Sequence, residues 1–310
     1  MTRLALLVGL ALAGWVTTSP AAANDELDRV RQWRNARVAE LTAEDGWLTL
    51  VGLLWLDPGE NSWGSAAGNH LVLDHPGLPA VAGTFFRDGQ TVRFTAAAGT
   101  VITHDGQPVS SLQLHSDAEG EPTVLACGSL RFFIIERAGK LGVRVRDVDS
   151  PRRRDFKPIE YFPVDTAWVL TARFEPYVPH RSIPIVNILG LEQNMESPGA
   201  IVFRKDGREW RLDTILESPR DETLFVMLAD GTSGRETYGG GRFLRVPLPE
   251  RASGGGYATR VDFNEAYNPP CAFNDFATCP LPPFQNRLTL RIESGERTYG
   301  SGNGHGAHAP

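Results

Sequence analysis

The sequence predicts a mainly β protein: two β-sandwich or barrel-like lobes behind one N-terminal helix. Three observations carry this. From Gly46 onward, short apolar runs alternate with Gly, Pro, Asn and Asp turn signals at the close spacing of sandwiches and barrels. One stretch, Asp25 to Leu41, has convincing helical periodicity. A charged break containing proline, DSPRRRDFK at Asp149 to Lys157, separates two β-rich halves. The expected organisation is a signal peptide over 1–23, helix and first lobe over 24–148, a connector over 149–157, a second lobe over 158–299 and a disordered tail over 300–310.

The N-terminal segment reads as an export signal. Arg3 supplies the positive start, Leu4 to Val16 is apolar, and Ala21-Ala22-Ala23 fits the small-residue cleavage rule. The apolar run is shorter than the roughly 20 residues that span a bilayer. No later segment is long and apolar enough to span. The signal has no cysteine for a lipid anchor. The expectation is a soluble periplasmic or secreted protein, cleaved near Ala23. A net charge of -6 gives no basic face for nucleic acid and no attraction to anionic membranes. Oligomeric state is not legible.

In the helix, Leu27, Val30, Trp33, Val38 and Leu41 share an apolar face, with Asp, Glu and Arg on the other. Asn24 and Asp25 offer capping oxygens. In the first lobe, WLTLVGLLWL ends in an Asp57-Pro58-Gly59 turn. Asp88-Gly89 and Asp105-Gly106 mark hairpins, and Ala138-Gly139 a turn. In the second, Lys205-Asp206-Gly207-Arg208 is a hairpin turn, and Gly239 to Gly241 read as a bulge or tight turn. The tail from Gly300 lacks apolar mass, and its His305 and His308 make a poor metal site.

The first lobe resembles a forkhead-associated sandwich in its Gly-Glu-Asn turn, its Asp-Gly-Gln-Pro-Val hairpin and its Cys-Gly-Ser turn. That family grips phosphothreonine through an Arg and a Ser-x-x-His. Here the equivalent place reads Gly-Leu-Pro-Ala-Val-Ala-Gly, so the resemblance implies a scaffold without the phosphopeptide site.

The stretch from Val261 to Leu288, VDFNEAYNPPCAFNDFATCPLPPFQNRL, organises the rest. DFNEAYNPPCAF, CPLPP and Asn286-Arg287-Leu288 look like the C-terminal signature of the domain of unknown function 1684 family of bacterial proteins. GWLTLVGLLWLDPGENSWGS, GVRVRD at Gly142 to Asp147, FKPIEYFPVD at Phe156 to Asp165 and TSGRETYGGGRFL at Thr232 to Leu244 are similar to the same family. The resemblance implies no activity, cofactor or catalytic residue.

In an exported protein, Cys271 and Cys279 read first as a disulfide. The competing readings are a pair of reduced, packed thiols and a metal site completed by other ligands. Cys127, inside an apolar run, reads as a buried inert thiol. No Gly-x-Ser-x-Gly elbow, His-Glu-x-x-His, Walker or Rossmann pattern occurs, so no catalytic residue, cofactor or metal is assigned. What remains is a polar set from the two most turn-rich loops: Tyr238 and Arg242, then Asp262, Asn264, Tyr267 and Asn268, joined by Glu160 and Asp165. An arginine with carboxylates and amides can hold a small polar ligand. The same residues could instead hold turns, with Arg242 paired to Asp262. The leading function is extracytoplasmic binding of a small polar or anionic ligand without turnover. The alternatives are a hydrolase using Asp262 or Glu160 as acid/base, and a structural module of the envelope.

Overall fold

A computed structural model describes residues 20–300, with side chains from residue 24. The signal segment up to residue 19 and the tail from 301, with His305 and His308, lie outside the described residues. Helix α1 runs Pro20–Thr42, longer at its start than the periodicity predicts. Its inward face holds Val30 and Leu41, as expected, but also Arg37, which is 5% exposed. Assigning every arginine to the outer face is therefore corrected. Arg34 donates to the Phe162 carbonyl at 3.2 Å and Arg37 to the Asn268 carbonyl at 2.9 Å. Each guanidinium reaches an acceptor on the second lobe, which periodicity cannot show.

The first lobe is a sandwich of strands β1 (Leu50–Trp55), β2 (Gly59–Gly64), β3 (Leu71–Val72), β4 (Gly83–Asp88), β5 (Thr91–Ala96), β6 (Thr103–His104), β7 (Gln107–Pro108), β8 (Ser111–Leu114), β9 (Leu125–Cys127), β10 (Leu130–Arg137) and β11 (Lys140–Asp147). One sheet has the order β1-β11-β10-β9-β6-β7, the other β3-β2-β4-β5-β8. Hairpin signals sit where expected. Asp105-Gly106 and Asp206-Gly207 both place two successive residues at positive φ, the requirement of the tight turn that matches strand twist. Asn61 is fully buried beneath the Asp57-Pro58-Gly59 turn, accepting from the Asp57 N–H at 2.9 Å and donating to its carbonyl at 2.8 Å. Trp63, Phe85, Phe94 and Phe132 interlock between the sheets, with Trp63 and Phe132 centroids 4.5 Å apart. Cys127 packs into this core.

The second lobe is one long, curled sheet: β12 (Val169–Val186), β13 (Glu192–Lys205), β14 (Arg208–Leu216), β15 (Thr223–Leu228), β16 (Arg242–Pro247), β17 (Glu250–Arg251) and β18 (Tyr257–Asp262). Its order is β16-β15-β14-β13-β12-β18-β17, and β16 approaches β18 across the curl. The continuous apolar run of β15 has a reason in this geometry. Leu224, Val226 and Leu228 fill the inside of the curl, while Phe225 and Met227 join a second core outside it. A strand buried on both faces shows no polar alternation.

The predicted connector is better tied down than an exposed loop. Pro151–Arg154 form a single helical turn. Arg153 donates to the Thr42 and Val148 carbonyls, both at 2.6 Å, and Arg152 to the Leu50 carbonyl at 3.3 Å. Arg154 is exposed and pairs with Asp155 at 3.1 Å.

The alternation of β11 fixes how the lobes meet. Leu141, Val143 and Val145 enter the first-lobe core. Gly142, Arg144 and Arg146 therefore point to the opposite face, since side chains alternate along a strand. At Arg144 that face meets the second lobe, the guanidinium donating to Thr278 at 3.1 Å. Among the described residues no helix is long and apolar enough to cross a membrane.

Phe132→Ala should destabilise the protein by about 3–5 kcal/mol, the usual cost of emptying an aromatic core site. Urea unfolding measures this, and a loss below about 1 kcal/mol would contradict the packing described.

Candidate functional site

The chain after β18 is irregular from Phe263 to Tyr299, apart from short 3-10 turns at Phe263–Glu265, Pro270–Ala272 and Phe284–Asn286. Backbone buried without a ladder still needs hydrogen-bond partners. Much of the polar set read from the sequence meets that need.

Arg242 is 1% exposed. It donates to Asp230 Oδ2 at 3.0 Å and to the Ile292 carbonyl at 2.8 Å, and also to the Ser294 carbonyl. Its ion-pair partner is thus Asp230, not Asp262. Burial pushes the guanidinium pKa down and Asp230 opposes this. Asp262 instead accepts from Arg29 of α1 and, at 3.2 Å, from Arg260. Asn264, fully buried, receives the Asp165 N–H at 3.0 Å and the Ser294 hydroxyl at 2.9 Å. Asp165 itself caps the turn at Thr166–Trp168 through the Ala167 N–H. Asn268 donates to the Arg297 carbonyl at 2.7 Å. Glu160 is exposed, and its carbonyl accepts the Arg297 N–H at 2.8 Å. Tyr238 opens the turn closed by Gly241, whose N–H returns to the Tyr238 carbonyl at 3.0 Å. Its phenol, raised in pKa by burial and by Cys271, points to the Cys271 carbonyl.

The structure brings Asp262 together with Asn264 and Asp165, and Asn268 together with Glu296 and Arg37. Arg242 touches the second group through the Glu296 carbonyl, at 3.4 Å, and the first through Ser294, whose carbonyl it holds and whose hydroxyl bonds Asn264. Glu160 meets Asn268 only through the backbone of Arg297, and the Tyr238 phenol turns to the Cys271 carbonyl instead. The expected Cys271–Cys279 bond is not formed. All three cysteines are free, and Cys279 Sγ accepts the Cys271 N–H at 3.1 Å. The loop is held without it by proline turns and by Asn274, which donates to the Trp47 carbonyl at 2.8 Å.

A concave feature lies between the lobes, where Glu136 and Arg137 of β10 face the second lobe. It is a cleft of about 840 Å³. Trp47, Phe225, Phe243 and Tyr267 supply aromatic walls, and Ile185 and Met195 of the β12–β13 arm supply aliphatic ones. Of the residues singled out in the sequence for ligand binding, Tyr267 alone lines it; Pro270, Cys279 and Pro280 of the same stretch join it. Arg37 lies over the Tyr267 ring at 4.6 Å. At one end Thr278 Oγ1 accepts from Arg137 Nε at 3.2 Å and from Arg144 Nη2 at 3.1 Å.

The two arginines differ. Arg137 pairs with Asp117 at 2.8 Å. Arg144 is 3% exposed, has no ion-paired carboxylate among the described residues, and its buried Nε has no hydrogen-bond partner. Burial lowers its pKa to about 10, and Arg137 adds to the effect. Sequence reading missed Arg144, Arg137 and Thr278. The signal was present in GVRVRD, where alternation sends the arginines off the core face. What it could not say is that another lobe covers them.

These features define a two-lobed β protein with a polar-and-aromatic cleft between its lobes. Residues 154–297 match the family described as "Protein of unknown function (DUF1684)", and the chain belongs to that family. The match begins at the end of the connector and spans the second lobe. No curated protein matches the chain significantly. A solution NMR structure of an uncharacterized protein of Haloarcula marismortui is 31% identical, covering 48% of this chain and 80% of that one, with a TM-score of 0.40.

Two outcomes follow from the buried charges. Arg242→Ala strands Asp230 and should cost about 3–5 kcal/mol, as breaking a buried pair does; Arg242→Met with Asp230→Leu should cost less than Arg242→Ala alone. Chemical unfolding of both variants decides this, and equal losses would mean that the pair is not the cause.

Glu296 is fully buried, accepting from Asn268 N at 2.7 Å and Arg37 Nε at 3.3 Å. Burial raises its carboxyl pKa above the ordinary value, while Arg37 opposes this. A raised folded pKa gives stability that is complete below the unfolded value, near 4.3, and is lost as pH rises through the folded value. The Tm of Glu296→Gln relative to wild type should therefore climb from pH 4 towards neutrality. A difference that falls with rising pH would contradict this.

Proposed function

We propose that this protein binds a small polar, anionic ligand in the cleft between its lobes, without turning it over. The observation that carries the reading is Arg144, a buried guanidinium with no carboxylate partner among the described residues, which reaches the aromatic-lined cleft through its bond to Thr278. An unpaired buried charge costs several kcal/mol. Structural ion pairs elsewhere in this chain are compensated, as Arg242 is by Asp230. An anion entering the cleft would compensate Arg144 at the moment of binding. The cleft's volume and its aromatic walls with a few convergent polar groups suit a small-molecule site.

A hydrolase built on Asp262 or Glu160 draws less support. Asp262 is engaged by Arg29, Arg260 and Asn264, and Glu160 is exposed; neither lines the cleft. The reading places the protein outside the cytoplasm, in the periplasm or secreted, on the strength of residues 1–23.

A thermal-shift screen of the purified protein against small anions tests the reading. At least one should raise Tm by several degrees, and Arg144→Gln should abolish the rise. Arg144→Met should leave the unliganded Tm unchanged or higher, because replacing a buried charge by an apolar group of similar volume is often neutral or stabilising. A marked fall in Tm for Arg144→Met, with no anion shifting wild type, would make Arg144 a structural residue and refute the proposal.

A further inference from the structure

Sulfur is scarce in this chain, with three cysteines and three methionines, and most of it is gathered in one place. Cys127 packs in the first-lobe core. Cys271, Cys279 and Met227 belong to the core outside the curl, and Met195 packs against it. Every cysteine and methionine after residue 127 therefore meets in one cluster, drawn from β13, β15 and the wrap after β18. Packing alone explains a buried cysteine or methionine. Two further features do not follow from packing.

The first is that the two thiols engage each other. Cys279 Sγ accepts the Cys271 N–H at 3.1 Å, and the unbonded thiols share a hydrogen bond. The Cys279 thiol holds Cys271 below the ordinary thiol pKa; burial opposes this and the Tyr238 phenol adds to it. Burial pushes Cys279 up, with Cys271 adding to the rise, while the Cys271 N–H and Arg144 oppose it. One proton leaves this pair readily, and the second stays until a cation replaces it. The second feature is access. Cys279 lines the cleft between the lobes, so an ion in that space reaches sulfur without unfolding the chain.

The ligand count decides which ion. Among the described residues, no three of His, Cys, Asp and Glu gather in a way that could hold a metal. Two thiols without such a third ligand do not complete the tetrahedron of zinc, and they offer no oxygen shell for calcium or magnesium. Thiolate sulfur selects soft ions, copper(I) foremost, and that closed-shell ion is content with two sulfur ligands. Phe225 and Phe243 of the same cluster supply the apolar shell that keeps water from such a centre.

We infer that Cys271 and Cys279 form a site for copper(I), bound between their two sulfurs at the wall of the cleft. The step is a substitution: two S–H protons leave, two Cu–S bonds form, and no electron moves. It uses sulfur where the anion reading uses Arg144, and either can fail alone.

Anaerobic titration of the reduced, folded full chain with copper(I), in competition with the chromogenic chelator bicinchoninate, tests this. The protein should take one equivalent of copper(I) from the chelator, and zinc(II) should not displace it. X-ray absorption at the copper edge should show sulfur neighbours. Cys271→Ser and Cys279→Ser should each weaken binding at least tenfold with the wild-type circular dichroism spectrum kept, whereas Cys127→Ala should bind as wild type does. Copper left wholly on the chelator by wild-type protein with both thiols reduced would overturn the site, and this result decides even where a serine variant folds poorly. Copper retained by the double variant Cys271→Ser with Cys279→Ser would place it elsewhere in the chain and overturn the assignment. Nitrogen or oxygen neighbours alone, or displacement by zinc(II), would do the same. The anion screen is read on metal-free protein, so its outcome is separate.

Discussion

Arg242 holds together the part of the molecule that has no sheet to hold it. After the last strand, residues 263–300 wrap the second lobe and reach α1. Backbone in that position cannot pair along a ladder and cannot be left bare. Arg242 gathers the carbonyls of Ile292 and Ser294 and anchors itself on Asp230. Asn286 does the same between β14 and β15, donating to the Asp213 and Met227 carbonyls and accepting the Asp213 N–H. The amide and guanidinium groups act as substitutes for a missing strand. Because this wrap supplies Tyr267, Thr278 and Cys279, the shape of the inter-lobe cleft depends on it.

Two arginines show how differently a buried charge can be used. Arg242 is fully enclosed, and an acid and backbone carbonyls answer it. Arg144 is almost as enclosed, yet what answers it is a hydroxyl and the face of Trp47. The first arrangement spends its charge on holding a loop. The second leaves charge over, one hydroxyl away from a space large enough for a ligand. Strained or uncompensated groups persist where function needs them, and the proposed reading follows from that contrast rather than from cleft size.

The β class, the single long helix and the hairpins were legible because each rests on local chemistry. Positive φ at Asp206-Gly207 and alternation in Lys140–Asp147 need no knowledge of distant residues. The polar wealth of Val261 to Leu288 was legible too, but its use was not. Asn264 and Asn286 look the same in sequence whether they bind a ligand or satisfy a carbonyl, and only the fold says that carbonyls surround them. The partner of Arg242 lay twelve positions away at Asp230, in a turn that carried no signal of its own. Arg37 was misplaced on the helix because its partners, Glu296 and the Asn268 carbonyl, come from the far end of the chain. Arg144 was hidden for a related reason: a charged face of a sheet reads as solvated until a second lobe covers it.

In the proposed reading the uncompensated guanidinium of Arg144 marks a ligand site. A crystal structure grown with 3-(4-bromophenyl)propionate tests it most directly, since the anomalous signal of bromine locates the ring independently of the rest of the density. One strong bromine peak is expected inside the cleft, beside Trp47 and Phe243, with the carboxylate within hydrogen-bonding distance of Arg144 and Thr278. Bromine bound elsewhere with the cleft empty, or a ligand in the cleft whose carboxylate turns away from Arg144, would contradict it.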